Sequence, residues 1–318
     1  MAARLSVVLG VCRVTWLEFK RQTVGQDSGM EGYVSAPTVR RRRLGTKLRA
    51  LRDALDLKLE EVAEKSAGRI NVPKLSRIET ARSAAKPADV EMLLDLYGMD
   101  DEELRAALLA LTREGARRGW WHSYRGVLSP VYEDLISLEA EATNIRTWQM
   151  GAIPGLLHTG EYAREIITAT AMSAAVEGRI DALVEVRLAR QSVLTREQPL
   201  DLWAIIAEGA LRTRGIGEGV MHDQLSRLHS LSRRPNINIQ ILPTDSPPHV
   251  GQLGSFSVLG FEGHPDLDVV HTESLTSALY VEEREQVGVY QDAFERLRAA
   301  ALPVEASADR IAEIRDQV

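Results

Sequence analysis

From residue 39 the leucines of this chain recur at helical intervals, Leu44, Leu48, Leu51 and Leu55 lying four, three and four apart. That spacing builds one apolar face of an α-helix and is incompatible with the alternation of a half-buried strand. Arg41, Arg42, Lys47, Arg49 and Arg52 are left mostly on the other faces. A shorter helix follows over residues 59–65 with Val62 and Ala63 inward, and Ser66, Ala67 and Gly68 break it. Asn71 offers a side-chain oxygen to cap a third helix, and Pro73 suits its first turn, where a missing N–H costs little. Within this helix, which runs to Thr80, Leu75 and Ile78 are three apart and anchor it, placing Lys74, Ser76 and Arg77 at or near the opposite face. A fourth helix over residues 87–97 turns Val90, Leu93, Leu94 and Tyr97 to one side and ends at Gly98. Asp100 is the expected cap of a fifth, carrying Leu104, Leu108 and Leu111. Five short helices within residues 37–113 make an all-α bundle.

Charge separates this bundle from the rest. Residues 37–86 hold 14 Lys and Arg against 6 Asp and Glu, a net of +8, whereas residues 87–318 hold 21 against 36, a net of −15. A basic segment on an acidic body implies a polyanionic partner for that segment alone.

At 318 residues the chain exceeds one ordinary core and fits a small domain followed by a larger one. The sequence divides into an extension over residues 1–36, the bundle over 37–113 and a second domain over 114–318. The extension has little periodicity and several Gly and Ser, so it reads as poorly ordered, with Met30 as an alternative start. Its opening run, MAARLSVVLGVCRVTW, is short, broken by Arg13 and without a small-residue cleavage site, which argues against export. The longest apolar runs fall short of a membrane span. Cys12 is the sole cysteine, consistent with a reducing cytoplasm and insufficient for a disulfide within one chain.

Gly115, Gly119 and Gly126 mark residues 113–129 as a linker or domain entry, in which Trp120 and Trp121 are expected to pack onto the second domain, with ligand stacking as the lesser reading. Helices are expected over residues 130–150, with Leu135, Leu138, Ala142 and Ile145 inward, then over 160–171 and 177–195, the last with Ile180, Leu183, Val184 and Leu188. The period then shifts toward strands at 200–207, 237–242, 254–261, 268–272 and 278–281, with helices near 219–232 and 285–300. The second domain therefore reads as α+β.

The run RLGTKLRALRDALDLKLEEVAEKSAGRINVPKLSRIETAR, followed by PADVEMLLDLYG, resembles the Xre, or lambda-repressor-like, helix-turn-helix domain, KLSRIETAR most specifically. The resemblance implies that the third helix enters the major groove with its N-terminal residues on base edges. Asn71, Val72, Lys74 and Arg77 then fall on the reading helix, while Ser76 and Arg82 suit backbone phosphates. Glu79 reads as a structural partner. The AGRIN connection is longer than the family's usual turn, and Pro73 replaces a small polar residue. Arg40, Arg41, Arg42 and Arg43 are either a solvated helix end or a phosphate-contacting arm. WWHSYRGVLSPVYEDLISLEAEATNIRTWQMGAIPGLLHTGEYARE, with RLARQ, NINIQILP, GSFSVLGF and VVHTES, resembles a C-terminal domain of uncharacterised function attached to Xre-type regulators of actinobacteria. That likeness implies a small protein partner encoded nearby. His158 stands where that family generally has Gln.

Enzyme chemistry finds little support. Glu139 and Glu141 are two apart on a helix and point to different faces, poor for a paired acid and base. His249, His264 and His271, with Asp266, Asp268 and Glu273, crowd one region without helical metal-ligand spacing. GIGEG at residues 215–219 lacks the preceding strand of a dinucleotide loop and reads as a turn. The expectation is thus a cytoplasmic transcriptional regulator with no catalytic residues, metal or cofactor. It binds a double-stranded operator as a homodimer, because one reading helix contacts only a few base pairs. Its second domain serves dimerisation, partner docking or sensing of an unidentified effector. An antitoxin-like or sequestering partner of a small protein is the alternative, and an enzyme localised by its bundle the third.

Overall fold

The computed structural model describes residues 38–112, 119–124, 126–171, 174–217, 219–261, 265–274 and 277–318. The proposed N-terminal extension and residue 37, residues 113–118 and 125 of the glycine-containing linker, and His264 lie outside them. The bundle consists of α1 (Val39–Ala54), α2 (Leu59–Lys65), α3 (Val72–Glu79), α4 (Pro87–Leu96) and α5 (Glu102–Thr112). Its core joins Leu44, Leu48, Val62, Leu75, Ile78, Val90, Leu93, Leu94, Leu104, Leu108 and Leu111, all buried. Thr38 caps α1 and Asn71 caps α3 through its side-chain oxygen. Two details differ from expectation. Leu55 closes α1 as its C-cap and is 47 % exposed, the apolar stripe having outlasted the helix. The fifth helix is capped by Asp101, whose Oδ1 accepts from the amides of Glu103 and Leu104 at 3.0 Å each, rather than by Asp100.

The α+β domain runs α6 (Pro130–Glu141), β1 (Asn144–Gln149), α7 (Gly160–Ala169), α8 (Ala174–Glu177), α9 (Ile180–Arg190), β2 (Asp201–Ala207), α10 (Glu208–Leu211), α11 (Val220–Leu231), β3 (Ile237–Leu242), β4 (Phe256–Gly260), β5 (Val269–Glu273), β6 (Ala278–Val281), α12 (Arg284–Ala300) and α13 (Val304–Arg315). The strands form one mixed sheet in the order β3-β2-β1-β4-β5-β6. β1, β2 and β3 are parallel, and β4, β5 and β6 continue antiparallel from β1.

The expected helix over residues 130–150 is therefore two elements. It ends at Glu141 with Ala142 extended, and β1 begins at Asn144. Leu135, Leu138, Ala142 and Ile145 keep a helical interval across the break by coincidence, while the β-branched Thr143, Ile145 and Thr147 favour a strand. Similarly, α9 spans only Ile180–Arg190, continues as a short 3₁₀ turn and leaves Leu188 exposed.

One sheet face, with Ile145, Ala204, Ile206, Ile239 and Ile241, joins a core completed by Tyr162 of α7 and Leu225 and Leu228 of α11. The other, with Trp148, Ile205, Leu242, Val258 and Val270, packs on Val287, Phe294 and Leu297 of α12. The outer edge of β3 is covered. The Ile241 amide donates to Ser307 Oγ at 2.9 Å, and its carbonyl accepts from the Leu302 amide at 2.9 Å, which removes a bare ladder edge.

Candidate nucleic-acid interface

The α2–α3 connection spans six residues, 66–71, and is closed by its own side chains. Ser66, buried, donates to Ala63 O at 2.7 Å and its Oγ accepts from the Ile70 amide at 3.1 Å, while Ala67 and Gly68 both take positive φ. Ile70 is thereby pulled into the bundle core and Arg69 is left exposed. Asn71 Oδ1 accepts from the Lys74 amide at 2.9 Å, so the proposed base-contacting asparagine is at the same time the helix cap.

Along α3 the structure sorts the residues singled out from the sequence. Leu75 and Ile78 are buried, Asn71 and Arg77 are exposed, Val72, Lys74 and Ser76 are half-buried, and Arg82 is exposed just beyond the helix. Lys74 Nζ is held by Asp89 Oδ1 of α4 at 2.8 Å, which neutralises its charge and aims it along the bundle. Arg77 is the exposed cation of α3, with Arg69 before the cap and Lys86 ahead of α4 nearby in sequence. Sequence reading omitted Arg69. Its position two residues before the cap, in a basic segment, was the available signal.

The orientation of α3 is set from α1. Arg52 and Glu79, both buried, meet side-on, with Nε to Oε1 and Nη2 to Oε2 at 2.8 Å each, and Arg52 Nη1 donates to Leu57 O at 2.7 Å. Hydrogen bonding to Glu79 raises the Arg52 pKa despite the opposing cost of burial. Glu79 is thus the structural partner that the family resemblance implied. The two helices touch at Gly45, where an added Cβ would lie 2.6 Å from Ile78 O and 2.7 Å from Glu79 O.

Arg40, Arg42 and Arg43 face the α+β domain. Arg43 is 4 % exposed. Its Nη2 donates to Leu267 O at 2.7 Å and its guanidinium lies 3.8 Å from the centre of the Phe261 ring. Burial lowers its pKa to about 10, with Glu282 and Asp268 opposing, so it stays charged at neutral pH. Arg40 pairs with Glu141, Arg42 Nε lies 3.3 Å from Glu282 Oε1, and Lys47 Nζ lies 2.6 Å from Asp266 Oδ2. Arg41 is half-buried. Neither a solvated helix end nor a free arm describes Arg43. The pattern RRRR could not reveal this, because the opposing carboxylates come from residues more than a hundred positions away.

Of the other residues noted, Trp121 packs against a cluster of Leu128, Ile136 and Val186, while Trp120 is 37 % exposed and meets Trp121 and Tyr124 edge-on. Glu139 is buried against Arg190, with contacts of 2.7 and 2.5 Å, whereas Glu141 is half-buried. His249 lies beside Trp148 on the α12 side of the sheet and His271 stacks on Tyr280. Among the described residues no group of three or more potential ligands could hold a metal. Of GIGEG, Gly215 and Ile216 form bends ahead of α11, and Gly215 and Gly219 take positive φ. No described helix is long and apolar enough to cross a membrane.

Two families of known proteins match the chain. A helix-turn-helix domain matches residues 43–108, the stretch that holds α2, α3, α4 and most of α1 and α5. A domain of unknown function (DUF5753) matches residues 132–313, nearly the whole α+β domain. No curated protein and no solved structure matches it.

Proposed function

Because the chain belongs to the family defined by that domain of unknown function, DUF5753, and carries a helix-turn-helix DNA-binding domain ahead of it, we propose that it is a cytoplasmic, sequence-specific transcriptional regulator that sets α3 in the major groove of an operator. The observation that carries this reading is Arg77. It projects exposed from α3, with no ion pair among the described residues, between the buried anchors Leu75 and Ile78. A guanidinium in that position matches guanine O6 and N7. Asn71 and Val72 lie at the entry of the same helix, and Ser76, Arg82 and Arg69 suit phosphates. Lys74 contributes less, being committed to Asp89. Binding as a homodimer supplies the second half-site, and the α+β domain provides dimerisation, partner docking or sensing. The −15 charge beyond residue 86 keeps DNA off the rest of the molecule.

Genome-wide capture of bound DNA, followed by titration on the recovered sites, tests the reading. Arg77→Ala is expected to cost about 1 to 3 kcal/mol and to relax one operator position, while Lys74→Ala costs less. Uniform weakening across all sequences would reassign Arg77 to a phosphate, with the salt slope falling by about one. Absence of discrete sites with the intact protein sinks the proposal.

A further inference from the structure

The α+β domain carries an open cavity of about 640 Å³, within the roughly 300 to 1,000 Å³ typical of small-molecule sites. Its floor includes a polar stretch of the sheet face, Thr147 and Gln149 of β1, Ser257 of β4 and His271 of β5, beside the apolar Ile145, Leu202 and Leu259. Thr147 pairs across the sheet with Ser257, and Ser257 with His271, so these groups form one row. Further along the same face, Ala204 and Ile239 are ordinary core. A sheet face that turns polar while pointing inward has little apolar packing to gain, and suits a polar guest.

The loop 151–155, leaving the C-terminal end of β1, forms part of the cavity wall.

The roof supplies charge. Arg190 is spent, bound to both Glu139 oxygens and to Tyr132 OH at 2.6 Å. Arg187, one turn before it on α9, has no ion pair among the described residues, and its Nε is buried without a hydrogen bond. His158 is 1 % exposed. Its Nε2 lies 2.7 Å from Ile153 O, a carbonyl that can only accept, so Nε2 carries the proton. Burial, reinforced by Arg187, Arg190 and Arg227, lowers its pKa to about 3 and keeps it neutral. Its Nδ1 is then a buried acceptor without a partner. One unmatched cation and one unmatched acceptor thus line the same cavity, and its remaining carboxylate, Glu273, is exposed.

We propose that this cavity binds a small organic oxyanion, a carboxylate or phosphate, that bears a hydroxyl group: the oxyanion pairs with Arg187 and the hydroxyl donates to His158 Nδ1. The assignment gives a ligand class to the sensing role proposed above and rests on that reading only for its consequence at DNA.

Calorimetric titration of the full chain with glycerol 3-phosphate and with lactate, each against glycerol, tests it. At least one anion should bind saturably and glycerol should not, the responding anion telling phosphate from carboxylate. Arg187→Gln should weaken binding at least tenfold while the melting temperature stays level or rises, since a half-buried cation whose buried Nε has no hydrogen bond is removed. His158→Leu should weaken the hydroxylated anion but leave propionate, which lacks the hydroxyl, unchanged relative to wild type. Saturation by neither anion, or equal affinity in Arg187→Gln, overturns the proposal, as does a melting temperature that falls with Arg187→Gln while affinity holds. Affinity for the captured DNA sites, measured with and without the anion, separates the two readings. Anion binding without any DNA binding rejects the regulator, and DNA binding without anion binding rejects the cavity.

Discussion

Arg52 and Glu79 illustrate what a buried charge demands in a small bundle. Two parallel hydrogen bonds of 2.8 Å satisfy both groups, and the third donor of Arg52 reaches Leu57 O, so the pair fastens the end of α3 to the end of α1 and to the chain beyond it. Removing one partner leaves the other charge desolvated and poorly matched. Glu79→Ala is expected to cost about 3 to 5 kcal/mol in urea unfolding. Replacing both partners with Leu and Met should recover much of that loss, because packed apolar side chains carry no desolvation cost. A Glu79→Ala loss below about 1 kcal/mol, the range of an exposed ion pair, would show that the ion pair does not fasten the helices. The Arg77 substitution proposed above works on the opposite principle: an exposed side chain alters DNA binding while the fold stays intact.

At the scale of elements, the edge of β3 depends on α13. Ser307 Oγ accepts from the Ile241 amide and donates to Leu302 O at 3.2 Å, so Ser307→Ala strands a buried N–H at an expected cost of about 1 to 3 kcal/mol. Amide exchange should accelerate at Ile241 and leave Ile205 of β2, in the sheet interior, protected; equal acceleration at both would mean global rather than edge loosening. Nothing in the sequence announced α13, whose buried apolar anchors are only Ile311 and Ile314. By contrast, α1 to α5 were legible nearly to the residue, because their leucine intervals, Asn71 and Pro73 act locally. The outward placement of Arg77 followed from the same periodicity, whereas the structural role of Glu79 was implied only by the family resemblance. β1 was hidden because its apolar residues continued the helical interval of α6. The polar row of the cavity was hidden for a different reason. Alternation in IRTWQ and GSFSVLGF marks two faces, but it cannot tell a solvent face from an interior one, and only the placement of α6 and α9 decides that. Arg40, Arg42 and Arg43 were likewise illegible, since their partners are tertiary.

Among the described residues, α1 joins the bundle to the α+β domain. Val39 belongs to the core of the α+β domain, Leu267 and Phe261 contribute to that of the bundle, and the face of α1 that carries Gly45 meets α3. Carboxylates bury themselves at this junction. Burial raises Glu282 to about 7 against the pull of Arg42 and Arg43, with Asp134 adding to the rise, and burial raises Asp268 to about 6. A carboxyl whose folded pKa lies above its unfolded value stabilises the fold fully below the unfolded value, near 4.5 for Glu282, and that contribution is lost as pH climbs to about 7. His158 and His271, held neutral with pKa values lowered to about 3 and about 4, act in the reverse sense and lose stability as pH falls below about 6.5. The total profile therefore mixes opposing slopes, and a difference between two proteins isolates one of them. Glu282→Gln keeps an acceptor for Arg42 and cannot ionise. Relative to wild type it should be nearly neutral at pH 4.5 and progressively more stable up to pH 7.5, by at most about 3 kcal/mol. Urea unfolding of both proteins at four pH values across this range reads that difference directly. A gap that stays constant with pH would mean that Glu282 is ionised in the folded protein throughout, with Arg42 outweighing burial at the junction.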